Sequence, residues 1–155
     1  MLRLSQADWT NFKECINLSV LKEQERFVAS NLYSFAEAYM NITYGVYEVQ
    51  PMIIYHDDTM IGFTLLYYKK LKEESYYEIR RIMIDQNFQG RGYGKKAFDT
   101  IMEYIKTFPM GIAKKAVLDY MPCNDTASHI YHNYGFRDTE EFNQDGEVRT
   151  VYIFP

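Results

Sequence analysis

Little in this sequence suits a membrane, an oxidising compartment or a nucleic acid. No apolar run approaches the roughly 18 residues that a bilayer-spanning helix requires. No basic segment followed by a short apolar one opens the chain, so a secretory leader is not expected. Cysteine is scarce. Cys15 and Cys123 lie far apart, without the close pairing of zinc ligands, and read as free thiols of a cytoplasmic protein with no metal. Basic residues are outnumbered, 17 Lys and Arg against 21 Asp and Glu, and the net charge is −4. That balance argues against the positive footprint of a nucleic-acid surface and mildly favours a cationic small molecule. No internal repeat and no Pro-, Gly- or Ser-rich linker interrupts the 155 residues, so 1–155 is expected to be one domain.

Aromatic residues are abundant instead: 15 tyrosines and 10 phenylalanines lead a 17% aromatic share. Met1–Ser5 alternates as a short strand. Asp8 is the expected N-cap of a first helix, with Trp9, Phe12, Ile16 and Val20 at helical spacing. Glu23–Met40 reads as a second helical region, and Ser34 with Glu37 has the spacing of a capping box within it. Val46–Tyr55 and Met60–Tyr68 form a hairpin across His56–Thr59, and Gly62 marks a bulge or a close approach. A charged loop over Lys69–Ser75 leads to a central strand. A helix then runs to about Phe108, where Pro109 and Gly111 end it. Ala116–Tyr120 is β-like, Asp125–Tyr134 is a short helix closed by Gly135, and Phe136–Phe142 with Val148–Phe154 makes a last hairpin. The order β-α-α-β-β-β-α-β-α-β-β describes a mixed α/β sheet with helices on both faces.

The stretch from Glu78 to Phe98, EIRRIMIDQNFQGRGYGKKAF, organises the rest. It begins as a strand through Ile82, Met83 and Ile84 and ends as a helix. Between them, Gly90, Gly92 and Gly94 let the backbone turn sharply and leave its N–H groups uncovered. The following helix aims its orphan N–H groups and the positive end of its dipole into the same space. Together these make an anion site suited to a pyrophosphate. The spacing G-x-G-x-G is neither the dinucleotide fingerprint nor the Walker loop, and no Ser or Thr follows Lys95 to hold magnesium.

Gln89-x-x-Gly92-x-Gly94 resembles the acetyl-CoA loop of the GNAT superfamily of N-acetyltransferases, [RQ]-x-x-G-x-[GA]. Ile82-Met83-Ile84-Asp85 is similar to that family's central strand. About 30 residues later come Asn124, Ala127-Ser128-His129-Ile130-Tyr131 and Gly135-Phe136, which match its second signature. The resemblance implies the GNAT fold with a splayed sheet, acetyl-CoA as co-substrate and no metal. It also implies sites. Backbone groups of Ile82 and Ile84, with Met83 between, would hold the pantetheine arm and polarise the acetyl carbonyl. Gln89, Gly90, Arg91, Gly92, Tyr93, Gly94 and Lys95 would hold the pyrophosphate, with charge from Arg91 and Lys95 at the rim. Asn124 would contact the arm or cap its helix. Tyr131 would protonate the departing thiolate, since a phenol stays protonated at neutral pH.

The general base is less defined. Some relatives carry a glutamate on the central strand, and the matching position here is Arg80, which cannot take a proton. Glu78 lies two residues earlier on the same face and is the candidate, with a solvated strand end as the competing reading. Direct capture of neutral amine is a further route. His56, His129 and His132 pair with no obvious acid and are expected at exposed positions.

Val20–Asn31 and Ser34–Ala38 resemble the N-terminal helices of bacterial diamine and polyamine N-acetyltransferases, with Gln24, Phe27 and Val28 fitting that subgroup. Spermidine or spermine is therefore the leading acceptor, and Gln24, Phe27, Glu37 and Glu78 are the candidate substrate-binding residues. Polyamines want carboxylates and aromatic walls. A protein N-terminus, an amino acid, an aminoglycoside or a non-catalytic acetyl-CoA-binding module are the alternatives. The resemblance also implies a homodimer.

Overall fold

The computed structural model describes residues 1–45 and 47–155. Among them, seven strands join one sheet in the order β1-β2-β3-β4-β5-β7-β6. The strands are β1 Leu2–Gln6, β2 Glu48–His56, β3 Thr59–Lys69, β4 Tyr76–Ile84, β5 Lys115–Tyr120, β6 Arg137–Phe142 and β7 Val148–Ile153. The helices are α1 Phe12–Cys15, α2 Asn31–Tyr44, α3 Tyr93–Lys106 and α4 Asp125–Tyr134. This is the expected order. The expected start of β2 at Val46 lies outside the described residues.

Apolar layers cover both faces of the sheet. On one, Cys15 and Ala38 pack with Ile53, Phe63, Leu65 and Met83. On the other, Phe98, Ile101, Met102 and Ile105 of α3 pack with Ile54, Leu66 and Ile79, and Tyr131 of α4 joins them. A strand covered on both faces reads as a continuous apolar run. That is why every residue of β3 from Met60 to Tyr68 is buried.

Gly62 answers to both expectations made of it. Ile54 pairs with Gly62 and Tyr55 with Met60, which leaves Ile61 as the extra residue of a bulge. A Cβ on Gly62 would also collide with the carbonyl oxygen of Met83 on β4.

The N-terminal helices differ from the expectation. Asp8 is not a cap: its carboxylate is spent on the N–H and hydroxyl of Thr10, at 2.7 and 2.6 Å. Asn11 holds the N-cap position of α1, which lasts one turn and leaves Trp9 86% exposed. Ser34 does not open a helix either. It lies inside α2, its hydroxyl bonded to the Ser30 carbonyl at 3.0 Å. Ser30 is the cap and accepts from the Tyr33 N–H at 3.1 Å. A hydroxyl three residues before Tyr33 wins because the extended backbone of Ser30 turns its side chain toward the open end of the helix.

One feature of the sheet makes the site. β4 and β5 are its parallel pair, and their pairing stops after Tyr76–Lys115, Tyr77–Ala116 and Glu78–Val117. Past that point β4 keeps β3 on one side, through Thr64–Ile82, Phe63–Met83 and Gly62–Ile84, and its other side opens.

Candidate active site

The opening between β4 and β5 widens into a cleft of about 890 Å³. Glu78, Ile82, Met83 and Ile84 of β4 line it, with Asp119 and Tyr120 of β5 and Asn124 and Tyr131 at α4.

The glycine turn forms one end. Gly90 and Gly92 have φ of +74° and +77°, where L side chains are strained, and a Cβ on either would meet nothing within 4 Å. The backbone of the turn is therefore uncovered on that side. Gly92 stands at the N-cap of α3 without any side-chain cap, so the first-turn N–H groups of that helix stay free for an anion. These features fit a pyrophosphate. Gly94 and Lys95 also line the cleft, while Arg91 and Tyr93 do not. Arg91 is exposed. The Tyr93 hydroxyl lies 3.3 Å from His56 Nδ1. Lys95 is paired with Asp99 at 2.6 Å.

Gln89 is held by its side chain. Its Nε2 donates to the Ile84 carbonyl at 2.8 Å and to Gln24 Oε1 at 2.9 Å, and its Oε1 accepts from Gln24 Nε2 at 2.9 Å. Ile84 thus has its carbonyl occupied. Buried Asp85 adds a second tie, accepting from the N–H of Ser19 at 2.9 Å and of Asn87 at 3.0 Å. These two side chains fasten the segment after α1 to the exit of β4.

Tyr131 stands in a cage of rings. Its centroid is 4.9 Å from Phe98, 5.5 Å from Tyr120 and 6.5 Å from Phe136. Burial pushes its phenol well above the ordinary value, so it holds its proton at neutral pH. Asn124 is the N-cap of α4 and accepts from the Ala127 N–H at 3.3 Å, while also lining the cleft.

Glu78 is not a solvated strand end. It is 5% exposed and sits where β4 and β5 part. Burial raises its carboxyl above the ordinary value against the pull of Arg80, whose Nη1 lies 3.7 Å away. Glu37 lies behind, bonded to Arg80 Nε and Arg81 Nη2 at 2.9 Å each. Gln24 and Phe27 line the cleft from the turn before α2.

The family model described as Acetyltransferase (GNAT) family matches residues 8–136. The chain belongs to the GNAT family of acetyltransferases. It is 24% identical over 102 residues to the spermine/spermidine N(1)-acetyltransferase of Bacillus subtilis (strain 168), a match covering 63% of this chain and 66% of that protein. The chain thus spans just under two thirds of the curated relative's length. Among solved structures, aminoglycoside acetyltransferase AAC(6')-Ib in complex with coenzyme A superposes with a TM-score of 0.76 at 18% identity, covering 99% of this chain and 95% of that one. Spermidine N-acetyltransferase from Vibrio cholerae, in complex with CoA and spermine, gives 0.72 at 16%, covering 98% and 95%. At such identities the likeness is one of fold.

Several lining residues of this GNAT chain went unnoticed in its sequence. Asp145 and Glu147, in the β6–β7 turn, reach the cleft. A turn's composition carries no sign of which surface it overhangs. Asp119 lines the cleft too, bonded to Arg149 at 2.8 and 3.0 Å. His132 does have an acid partner: its Nε2 is 2.9 Å from Asp138 Oδ1. The two residues flank the Gly135 turn, which folds β6 back beside α4. Among the described residues no cluster of three metal-ligating side chains occurs, and no helix is long and apolar enough to cross a membrane.

Proposed function

We propose that this GNAT protein transfers the acetyl group of acetyl-CoA to a primary amine of a small polyamine, such as spermidine or spermine, by direct attack with both substrates bound. Acetyl-CoA supplies an activated acetyl group on a thiolate leaving group. The chain's residues supply position and protons. The uncovered glycine turn at Gly90–Gly92 and the uncapped N–H groups at the start of α3 take the pyrophosphate. The backbone of Ile82 and Ile84 orients the arm, and the Ile84 carbonyl is itself held by Gln89. Glu78 takes a proton from the acceptor ammonium. Tyr131 gives its phenolic proton to the thiolate sulfur.

The observation that carries this reading is Glu78, a buried carboxylate of raised pKa at the parting of the strands. A carboxylate whose pKa is raised is better matched to an ammonium, and burial is what raises it here. Support for a polycationic acceptor comes from the rim. Glu25, Asp145 and Glu147 line it; Arg26, Arg80, Arg81 and Lys95 line the cleft as well, but Arg80 and Arg81 are bonded to Glu37 and Lys95 to Asp99. An aminoglycoside is the second reading. It is also a polycation, and the fold superposes on an aminoglycoside acetyltransferase with a TM-score of 0.76. The homodimer implied by the resemblance belongs to the same proposal and is measured by sedimentation.

The test is thiol release from acetyl-CoA with spermine, spermidine, short diamines, aminoglycosides, amino acids and a peptide. Release with polyamines supports the first reading, and release with aminoglycosides alone supports the second. No release with any amine, alongside tight acetyl-CoA binding, leaves a binding module and overturns both.

A further inference from the structure

Arg80 stands between two carboxylates, and the reason lies in the backbone. Leu65 pairs with Arg81 and Leu66 with Ile79, so Arg80 is the extra residue of a bulge in β4. Successive strand residues normally point to opposite faces, and a bulge suspends that alternation locally. Two adjacent arginines therefore reach one acid. Arg80 Nε lies 2.9 Å from Glu37 Oε1 and Arg81 Nη2 lies 2.9 Å from Glu37 Oε2. The remaining approach of Arg80, Nη1 to Glu78 Oε1, is 3.7 Å, too long for a hydrogen bond. Its close contact therefore goes to Glu37 on α2, although Arg80 also lines the cleft.

We propose that Glu37 is a positioning residue for acetyl transfer. By drawing Arg80 toward α2 it keeps that guanidinium from closing on Glu78, and Glu78 stays basic enough to accept the ammonium proton. This rests on the reading of Glu78 as the base. The proton moves from the acceptor nitrogen to a Glu78 oxygen, and no other reactant is needed. Both Glu37 oxygens are taken by the arginines, so Glu37 acts through Arg80 rather than on substrate.

The other charged and titratable groups around Glu78 leave Arg80 as the cation that decides. Asp119 on β5 and Arg149 on β7 face it but are bonded to each other at 2.8 and 3.0 Å. Tyr47, which precedes β2, and Tyr76 on β4 lie nearby with hydroxyls 3.5 Å apart, and phenols are uncharged at neutral pH. Glu37 itself adds a negative charge that favours the protonated form of Glu78.

The experiment is the pH profile of kcat/KM for the polyamine acceptor in the native protein, Glu37→Gln, Arg80→Met and Glu78→Gln. Neutralising Glu37 removes a nearby anion and frees Arg80 for Glu78. Both effects lower the basicity of Glu78. The acid limb is expected to move to lower pH, kcat at neutral pH to fall about five-fold, and acetyl-CoA affinity to stay within about two-fold. Arg80→Met is expected to move the limb the opposite way, which general loosening of the fold does not do. Melting temperatures identify any variant that fails to fold, and the opposed shift of Arg80→Met then carries the test. An acid limb that moves in neither variant, while Glu78→Gln abolishes it, overturns the role of Glu37 and keeps Glu78 as base. A limb that survives Glu78→Gln shows that the base lies elsewhere, and the inference falls with it.

Discussion

Gln24 and Gln89 exchange two amide hydrogen bonds of 2.9 Å across 65 residues of chain. One end of this pair belongs to the turn before α2 and lines the cleft. The other opens the glycine turn that suits the pyrophosphate. The position of each segment therefore depends on the other. Gln24→Ala is expected to weaken acetyl-CoA binding about five-fold, the worth of roughly 1 kcal/mol for a part-buried hydrogen bond. Calorimetric titration measures it. Unchanged affinity would mean that the turn is held by its own backbone and by Asp85.

Tyr131→Phe removes an oxygen and leaves the ring in its cage of Phe98, Tyr120 and Phe136. Turnover is expected to drop about 100-fold, with acetyl-CoA affinity unchanged. Steady-state kinetics and titration separate the two. Full turnover, with transfer still rate-limiting, would remove Tyr131 from the acid role.

Gly62→Ala places a methyl group against the Met83 carbonyl. Backbone must move to admit it, and Met83 lies in the strand that lines the cleft. The expected cost is about 2 kcal/mol, or roughly a 6 °C fall in Tm, read by calorimetry. A melting point within a degree of the native value would show that β3 can shift freely against β4.

Glu78 makes a prediction about stability whose sign is fixed by its burial. Its carboxyl is raised in the folded protein, so folding favours the protonated form. The ionised form costs stability above the folded pKa, and the cost vanishes below the unfolded one. Glu78→Gln is therefore expected to raise Tm by about 2 °C in mildly alkaline buffer. The gain should shrink as pH falls into the ordinary carboxylate range. Thermal melts across pH check this, and a loss of stability at every pH would mean that the attraction of the Arg80 charge outweighs burial.

The order of elements was legible because period and punctuation agree over most of the chain. Alternation or continuous burial marks the strands, and Gly135 and the Asn143–Gly146 turn stand where the backbone bends. The first 45 residues were less so. Asp8 and Ser34 each offer a cap, but Asp8 prefers its own turn and Ser34 is out-competed by Ser30. A cap is chosen by backbone angle, which composition does not carry. The glycine turn and Tyr131 were legible as a motif on contiguous residues. The pairing of Arg80 and Arg81 with Glu37 was hidden, since a one-residue bulge decides it and alternation predicts the reverse. The acidic turn over the cleft was hidden for a similar reason: only the folded path brings Asp145 and Glu147 to β4.

β4 and β5 part after Glu78, and a sheet that parts in its middle has an inner edge. Exposed strand edges are templates on which other chains can pair, and proteins commonly blunt them with charge, proline or a covering helix. This one is unpaired past Glu78 and lines the cleft. An extended amide-bearing arm in that space would serve as the missing neighbour strand, so the molecule's own ligand becomes part of its sheet. Folding stability and resistance to mispairing would then rise with the concentration of free co-substrate, whatever the acceptor amine is.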